Sequence, residues 1–157
     1  MNDKPTIEDL RNTIDQSVRI SYSAAPLIAG KRRSGISKPV LSPADDLAIE
    51  AGVADVGEAL AIAQAAFPAW EGTPATARAA ALERSADLLQ GRLPELVALI
   101  VREGGRTQAD AVSEVREAID FCRYYAAQAR EKFSEPIALP GPTGERNSLS
   151  LHGRGVF

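Results

Sequence analysis

The groups in this 157-residue chain that catalysis usually recruits are the single thiol Cys122, the single imidazole His152 and the acidic series Glu114, Glu117 and Asp120. A cysteine nucleophile needs its thiolate, made accessible by a helix N-terminus or an adjacent base. Cys122 instead falls on an apolar series, Val112, Val115, Ile119, Cys122, Ala126, Ala129 and Phe133, whose alternating spacings of three and four mark one helix face. It is expected to pack as a small apolar side chain. His152 ends the alternating run Asn147-Ser-Leu-Ser-Leu-His152 and has no nucleophile and orienting acid within reach in sequence, so it reads as a surface or pairing residue. One Cys and one His cannot assemble a Cys/His zinc site. Gly141-Pro-Thr-Gly144 and Gly153-Arg-Gly155 suggest phosphate loops, but neither follows a strand and opens a helix, and both read as turns. Helical acids are mostly solvated, and Glu117 is the one that stands apart. A rotation of about 100° per residue gathers Ser113, Glu117, Phe121 and Tyr124 opposite the apolar seam. The two aromatics predict a second covered face, with Glu117 sheltered between them.

Several elements must position that face. Ile7, Leu10 and Ile14 allow a short helix. Two short apolar runs between Pro26 and Pro43 flank a Gly- and Arg-rich connector and predict a hairpin or paired strands, with Lys31-Arg32-Arg33 as a solvated turn. Asp55 and Glu58 have the spacing of a capping box, and Val56, Leu60, Ala63 and Phe67 then predict a helix that Pro68 ends. Thr73-Pro74 predicts the cap of a second helix bearing Ala79, Leu82, Ala86, Leu89 and Leu93. A third starts at Pro94, is apolar nearly all round, and should end at Gly104-Gly105. The helix carrying Glu117 begins near Thr107 to Asp110, and short extended pieces follow it near 137–139 and 147–152.

With 18 basic and 21 acidic side chains the formal charge is −3, and 45% apolar residues are enough for a packed core. This balance argues against disorder and against electrostatic binding of nucleic acid. A lone Cys fits a reducing, cytoplasmic setting. No apolar run approaches the roughly 20 residues that a membrane span needs, and the first residues lack a basic flank followed by an apolar block. These observations describe a helical layer with no self-sufficient active site. Two classes stay open: a helical interaction module, or a piece of a larger enzyme.

Three runs narrow the choice: Trp70-Glu-Gly-Thr-Pro-Ala-Thr-Ala-Arg, Leu96-Val-Ala-Leu-Ile-Val-Arg-Glu-Gly-Gly-Arg-Thr107 and Glu114-Val-Arg-Glu-Ala-Ile-Asp-Phe-Cys-Arg-Tyr-Tyr-Ala126. In order and spacing they resemble the N-terminal part of the aldehyde dehydrogenase superfamily. More narrowly, Ala25-Pro-Leu-Ile-Ala-Gly30, Pro39-Val-Leu-Ser-Pro-Ala-Asp45, the Ile119–Tyr125 run and the segment from Gly141 to Phe157 look like the L-glutamate γ-semialdehyde (Δ1-pyrroline-5-carboxylate) dehydrogenase module of bacterial bifunctional proline utilization A flavoenzymes.

The resemblance implies an α/β fold, of which this chain is the mostly helical N-terminal part: the helical layer of a Rossmann-like NAD domain plus short strands of an oligomerisation flap. Residues 1–24 are then a leader or interdomain linker, and 25–157 a portion of the NAD-binding domain that stops as a strand begins at Val156-Phe157. In the family, a Cys from a later domain attacks the aldehyde, hydride passes to NAD⁺ and a Glu-activated water releases the acid. None of those residues is expected here, so the chain alone should be inactive and bind no cofactor. FAD is implied only if a proline dehydrogenase domain precedes it. Glu117 falls where relatives acting on amino-acid semialdehydes place a Glu that contacts the substrate α-ammonium, and Ser113, one turn earlier, lines the same tunnel. The implied partners are glutamate semialdehyde and further copies of the chain through the flap, with no nucleic acid.

Overall fold

A computed structural model describes residues 6–17, 23–33, 36–41, 43, 48–52 and 56–157. Five helices and seven short strands occur among them: α1 (Ile7–Ser17), β1 (Ser23–Ala24), β2 (Leu27–Ile28), β3 (Lys31–Arg32), β4 (Ser37–Leu41), β5 (Ala48–Gly52), α2 (Val56–Glu71), α3 (Ala75–Gly91), α4 (Leu93–Gly104), α5 (Gln108–Phe133), β6 (Ile137–Leu139) and β7 (Asn147–Leu149). The expected mostly helical architecture with a few short strands is what the chain adopts.

The core lies where α3, α4 and α5 meet. Ala79 and Ala86 of α3 and Ala111 and Ala126 of α5 are fully buried. With only a methyl group at each crossing point, the two helix backbones can approach closely. Leu93 and Val97 of α4, with Val115 and Ile119 of α5, fill the space beside them, and Leu10 of α1 packs on the same cluster. The segment expected to be leader or linker therefore supplies a helix that packs against α4. The α5 seam is only partly as expected. Val115, Ile119 and Ala126 are buried, Val112, Cys122 and Ala129 are half-buried, and Phe133 is 40% exposed. A straight helix drifts about 20° per heptad against a 3.5-residue repeat, so a long seam leaves its neighbour toward the end.

Helix boundaries follow local chemistry, with two corrections. Pro68 does not end α2, which runs one turn further to Glu71. A proline removes its own donor and crowds the carbonyl four residues back, but its own carbonyl still accepts, and Gly72 N–H bonds it at 3.0 Å. Thr73 does not cap α3 either. Its hydroxyl donates to the Ala69 carbonyl at 2.9 Å, at the end of α2, and Pro74 occupies the cap position with no side-chain hydrogen bond. The α4 terminus is as expected, with Gly105 left-handed at φ 60°. Thr107 caps α5: its Oγ1 accepts from the Asp110 N–H at 3.2 Å and donates to the Asp110 carboxylate at 2.8 Å. Thr107→Ala should cost about 1 kcal/mol of stability, read as a lower urea midpoint with an unchanged slope. Asp55, the other predicted cap, lies outside the described residues.

The strands differ from expectation in pairing. The apolar runs on either side of residues 30–35 do not pair with each other. Leu27–Ile28 pairs antiparallel with Lys31–Arg32 across an Ala29-Gly30 turn, whereas Ser37–Leu41 pairs with β5. Lys31 and Arg32 are thus strand residues, and Arg33 is ion-paired with Glu58. The three-stranded sheet has the order β1-β5-β4, with β1 parallel to β5 and β4 antiparallel. Pro39, which has no N–H to donate, sits in β4, an outer strand of this sheet. β6 and β7 form an antiparallel hairpin in register Ile137↔Leu149, and all six strand residues are exposed. The expected strand over 147–152 is shorter, ending at Leu149, and Val156-Phe157 belongs to no strand.

Candidate functional site: the outer face of α5

α5 turns its apolar seam toward α3 and α4 and leaves the opposite side open. There Ser113, Arg116, Glu117, Asp120, Phe121 and Tyr124 line a shallow concavity of about 410 Å³. Ser113 and Glu117 are one turn apart and Phe121 one turn further, so helical geometry brings together the residues the sequence singled out. Arg116 went unnoticed from the sequence because it precedes Glu117 directly, and adjacent helical residues diverge by about 100°. It reaches the concavity from the flank.

The predicted shelter of Glu117 is not present among the described residues. Glu117 is exposed, Phe121 is 48% exposed and Tyr124 is 55% exposed. The aromatics pair with one another instead of closing over the carboxylate. Phe121 stacks on Tyr125 with centroids 5.8 Å apart and planes at 18°, and Tyr124 meets Tyr125 edge-on at 5.2 Å. The result is an aromatic wall beside two carboxylates and one guanidinium.

Ion pairs also join α5 to α3 at the edge of their buried contact. Arg130 donates through both terminal nitrogens to the two Glu83 oxygens, at 2.6 and 2.8 Å, and Arg123 lies 3.4 Å from Asp87. The Arg130 hydrogen bonds hold the Glu83 carboxyl below its usual pKa and raise that of the guanidinium. Because the folded value of Glu83 is lowered, its contribution is complete above the ordinary value of 4.5 and is lost as the pH falls below it. The Tm difference between wild type and Glu83→Gln should therefore be largest near neutral pH and shrink below about pH 4.5. The gap should be small, since these side chains are 38% and 46% exposed.

The other candidates are placed elsewhere. Cys122 is a half-buried free thiol on the core side of α5. The side chain of His152 is 76% exposed and its Nδ1 lies 3.6 Å from Glu71. Glu114 pairs with Arg106 at 3.6 Å. Gly141–Gly144 is the β6–β7 turn, closed by a Gly144 N–H to Gly141 carbonyl bond of 3.0 Å, and the residues that lead into Gly153–Gly155 belong to no strand. Neither has the strand–glycine–helix geometry that cradles a dinucleotide pyrophosphate. The described residues do not fit NAD. Among them no group of three His, Cys, Asp or Glu could hold a metal ion, and no helix is long and apolar enough to cross a membrane.

This helical layer is part of an aldehyde dehydrogenase fold. Residues 34–157 match the aldehyde dehydrogenase family, and the chain belongs to it. Among its relatives, the bifunctional protein PutA of Klebsiella aerogenes is 37% identical over 142 residues, covering 87% of this chain and 11% of the relative. The 1-pyrroline-5-carboxylate dehydrogenase of Geobacillus sp. (strain WCH70) is 33% identical over 138 residues, covering 83% of this chain and 27% of the relative. Of the solved structures, proline utilization A from Bdellovibrio bacteriovorus inactivated by N-propargylglycine superposes with a TM-score of 0.81 at 28% identity, covering 90% of this chain and 15% of that one. The chain thus spans about a tenth of the PutA relatives and about a quarter of the 1-pyrroline-5-carboxylate dehydrogenases it matches.

Proposed function

We propose that residues 25–157 are an N-terminal portion of the NAD-binding domain of an NAD-dependent L-glutamate γ-semialdehyde dehydrogenase, an oxidoreductase of proline catabolism, with residues 1–24 as leader or linker. The observation that carries this reading is family membership together with relatives named PutA and 1-pyrroline-5-carboxylate dehydrogenase. The parent enzyme oxidises the semialdehyde to glutamate in the cytoplasm. It holds FAD as well where a proline dehydrogenase domain precedes this segment. The exposed β6–β7 hairpin joins copies of the enzyme into a homo-oligomer.

Within this chain the substrate-facing residues are Glu117 and Ser113. The Glu117 carboxylate attracts the α-ammonium group, Ser113 contributes a hydroxyl one turn away, and Phe121 and Tyr124 offer an apolar wall to the aliphatic chain. In the parent, protein packed over α5 removes the water that bathes Glu117 here. Unit charges 4 Å apart attract by about 1 kcal/mol in bulk water and about 4 kcal/mol at an effective dielectric of 20, so cover turns a weak surface attraction into recognition.

The chain by itself supplies no nucleophile, since its one thiol faces the core. Purified 157-residue protein should give no NAD⁺ reduction with pyrroline-5-carboxylate, whereas the full-length parent should turn over. Turnover by the chain alone would overturn its assignment as an inactive portion. A parent that oxidises simple aldehydes but not the semialdehyde would overturn the substrate. A second reading, a non-catalytic helical module for oligomerisation or partner binding, is favoured by Trp70, Leu88 and Tyr125, which are 54%, 68% and 55% exposed. A parent reading frame that encodes no downstream catalytic Cys would decide for it.

A further inference from the structure

Glu71, the last residue of α2, binds a segment 82 positions further along the chain. Its Oε1 accepts from the Gly153 N–H at 2.8 Å and lies 3.6 Å from His152 Nδ1, and its Oε2 is 4.0 Å from Arg78 Nη1 at the start of α3. The side chain is only 26% exposed. Arg78 in turn sits over the Phe133 ring, 5.9 Å from its centroid, at the end of α5. Gly153 leaves room for this approach. A Cβ there would collide with Glu71 Oε2 and come within 3.0 Å of the Phe67 ring. Residues 150–157 belong to no helix or strand, so backbone ladders do not place them. Leu151 and His152 nonetheless form one wall of a cleft of about 420 Å³, whose other sides include Glu71, Thr73, Arg78 and Phe133.

We propose that Glu71 is a positioning residue whose carboxylate ties the segment Leu151–Gly153 to the corner between α2 and α3, and so keeps that side of the cleft closed. Four parts of the chain meet at this one group: the end of α2, the start of α3, the end of α5 through Arg78, and the segment after the β6–β7 hairpin. The tie is a charge-assisted hydrogen bond to a backbone amide, the stronger kind.

Amide hydrogen exchange at Gly153, read by NMR, and the rate of tryptic cleavage after Arg154 test it in the 157-residue chain. Glu71→Ala should raise both by about tenfold, the loss of one hydrogen bond to a charged group. Glu71→Gln, which keeps an oxygen acceptor but no charge, should recover most of the protection. Cleavage after Arg146, in the β6–β7 turn, should not change. Wild-type rates at Gly153 and Arg154 in Glu71→Ala overturn the proposal, as does equal acceleration at Arg146 and Arg154, which reports general loosening. Should Glu71→Ala lose its helical circular dichroism, Glu71→Asp decides instead. Glu71→Asp keeps the charge but withdraws the carboxylate by one methylene from the Gly153 N–H, and wild-type cleavage after Arg154 in that variant overturns the tie.

Discussion

If the proposed function holds, Glu117→Ala in the intact parent enzyme is expected to raise KM for glutamate semialdehyde about tenfold while changing KM for a simple aliphatic aldehyde by less than about twofold. The size follows from what is removed. A tenfold change corresponds to about 1.4 kcal/mol, the lower end of what a hydrogen bond to a charged group contributes. The lower end is appropriate because Glu117 is exposed on this chain. Selectivity is the diagnostic part. Both substrates carry an aldehyde, but only the semialdehyde carries the α-ammonium that a carboxylate at 117 can recognise. Glu117→Gln should behave nearly as badly as the Ala variant, because it keeps the side chain's size and loses its charge. Initial rates with the two aldehydes side by side provide the measurement. Equal increases for both would remove Glu117 from substrate recognition and leave it as an ordinary surface acid.

Ile119→Ala, only two positions away, should leave recognition chemistry alone and cost about 3 kcal/mol of stability, within the range for large-to-small core changes. Ile119 is 2% exposed and among the largest fully buried side chains, in a cluster with Ala86, Leu93, Val97, Ala111 and Val115. The helix cannot slide to fill the space, because Ala111, Val115 and Ala126 on the same face are buried against α3 and α4. For a domain whose total stability is about 5–15 kcal/mol, this loss is severe. The urea midpoint should fall well below that of Phe121→Ala, whose side chain is 48% exposed and packs chiefly on Tyr125. If Ile119→Ala and Phe121→Ala cost the same, the α3–α4–α5 packing described above is not the core of this chain.

These two neighbouring positions show what the residue order contains. The spacing of Val115, Ile119 and Ala126 and the opposing cluster of Ser113, Glu117 and Phe121 separate two faces of the helix before any coordinates are known, although the second face, expected to be covered, is exposed. An α-helix has one geometry, so sequence spacing converts directly into direction around its axis. Gly105 and Thr107 are legible for the same reason: a left-handed turn and an N-terminal amide are local demands met by local chemistry. Pro68 and Thr73 depart from expectation because helix termination depends on what the following turn offers, and here Gly72 and Ala69 supply the missing partners.

Sequence alone thus determined the mostly helical layer, the two faces of α5, the structural role of Cys122 and the resemblance to aldehyde dehydrogenases. Only the tertiary structure decided which strands pair, that Arg116 joins Glu117 at the concavity, that the aromatics stack on each other and leave the carboxylate uncovered, and that Glu71 reaches Gly153. Each of these is a contact between residues that no helical or strand period brings together, or a choice among several neighbours within reach. Such contacts depend on where rigid elements come to rest against one another. That placement is set by the shape of the whole core and by no single stretch of residues.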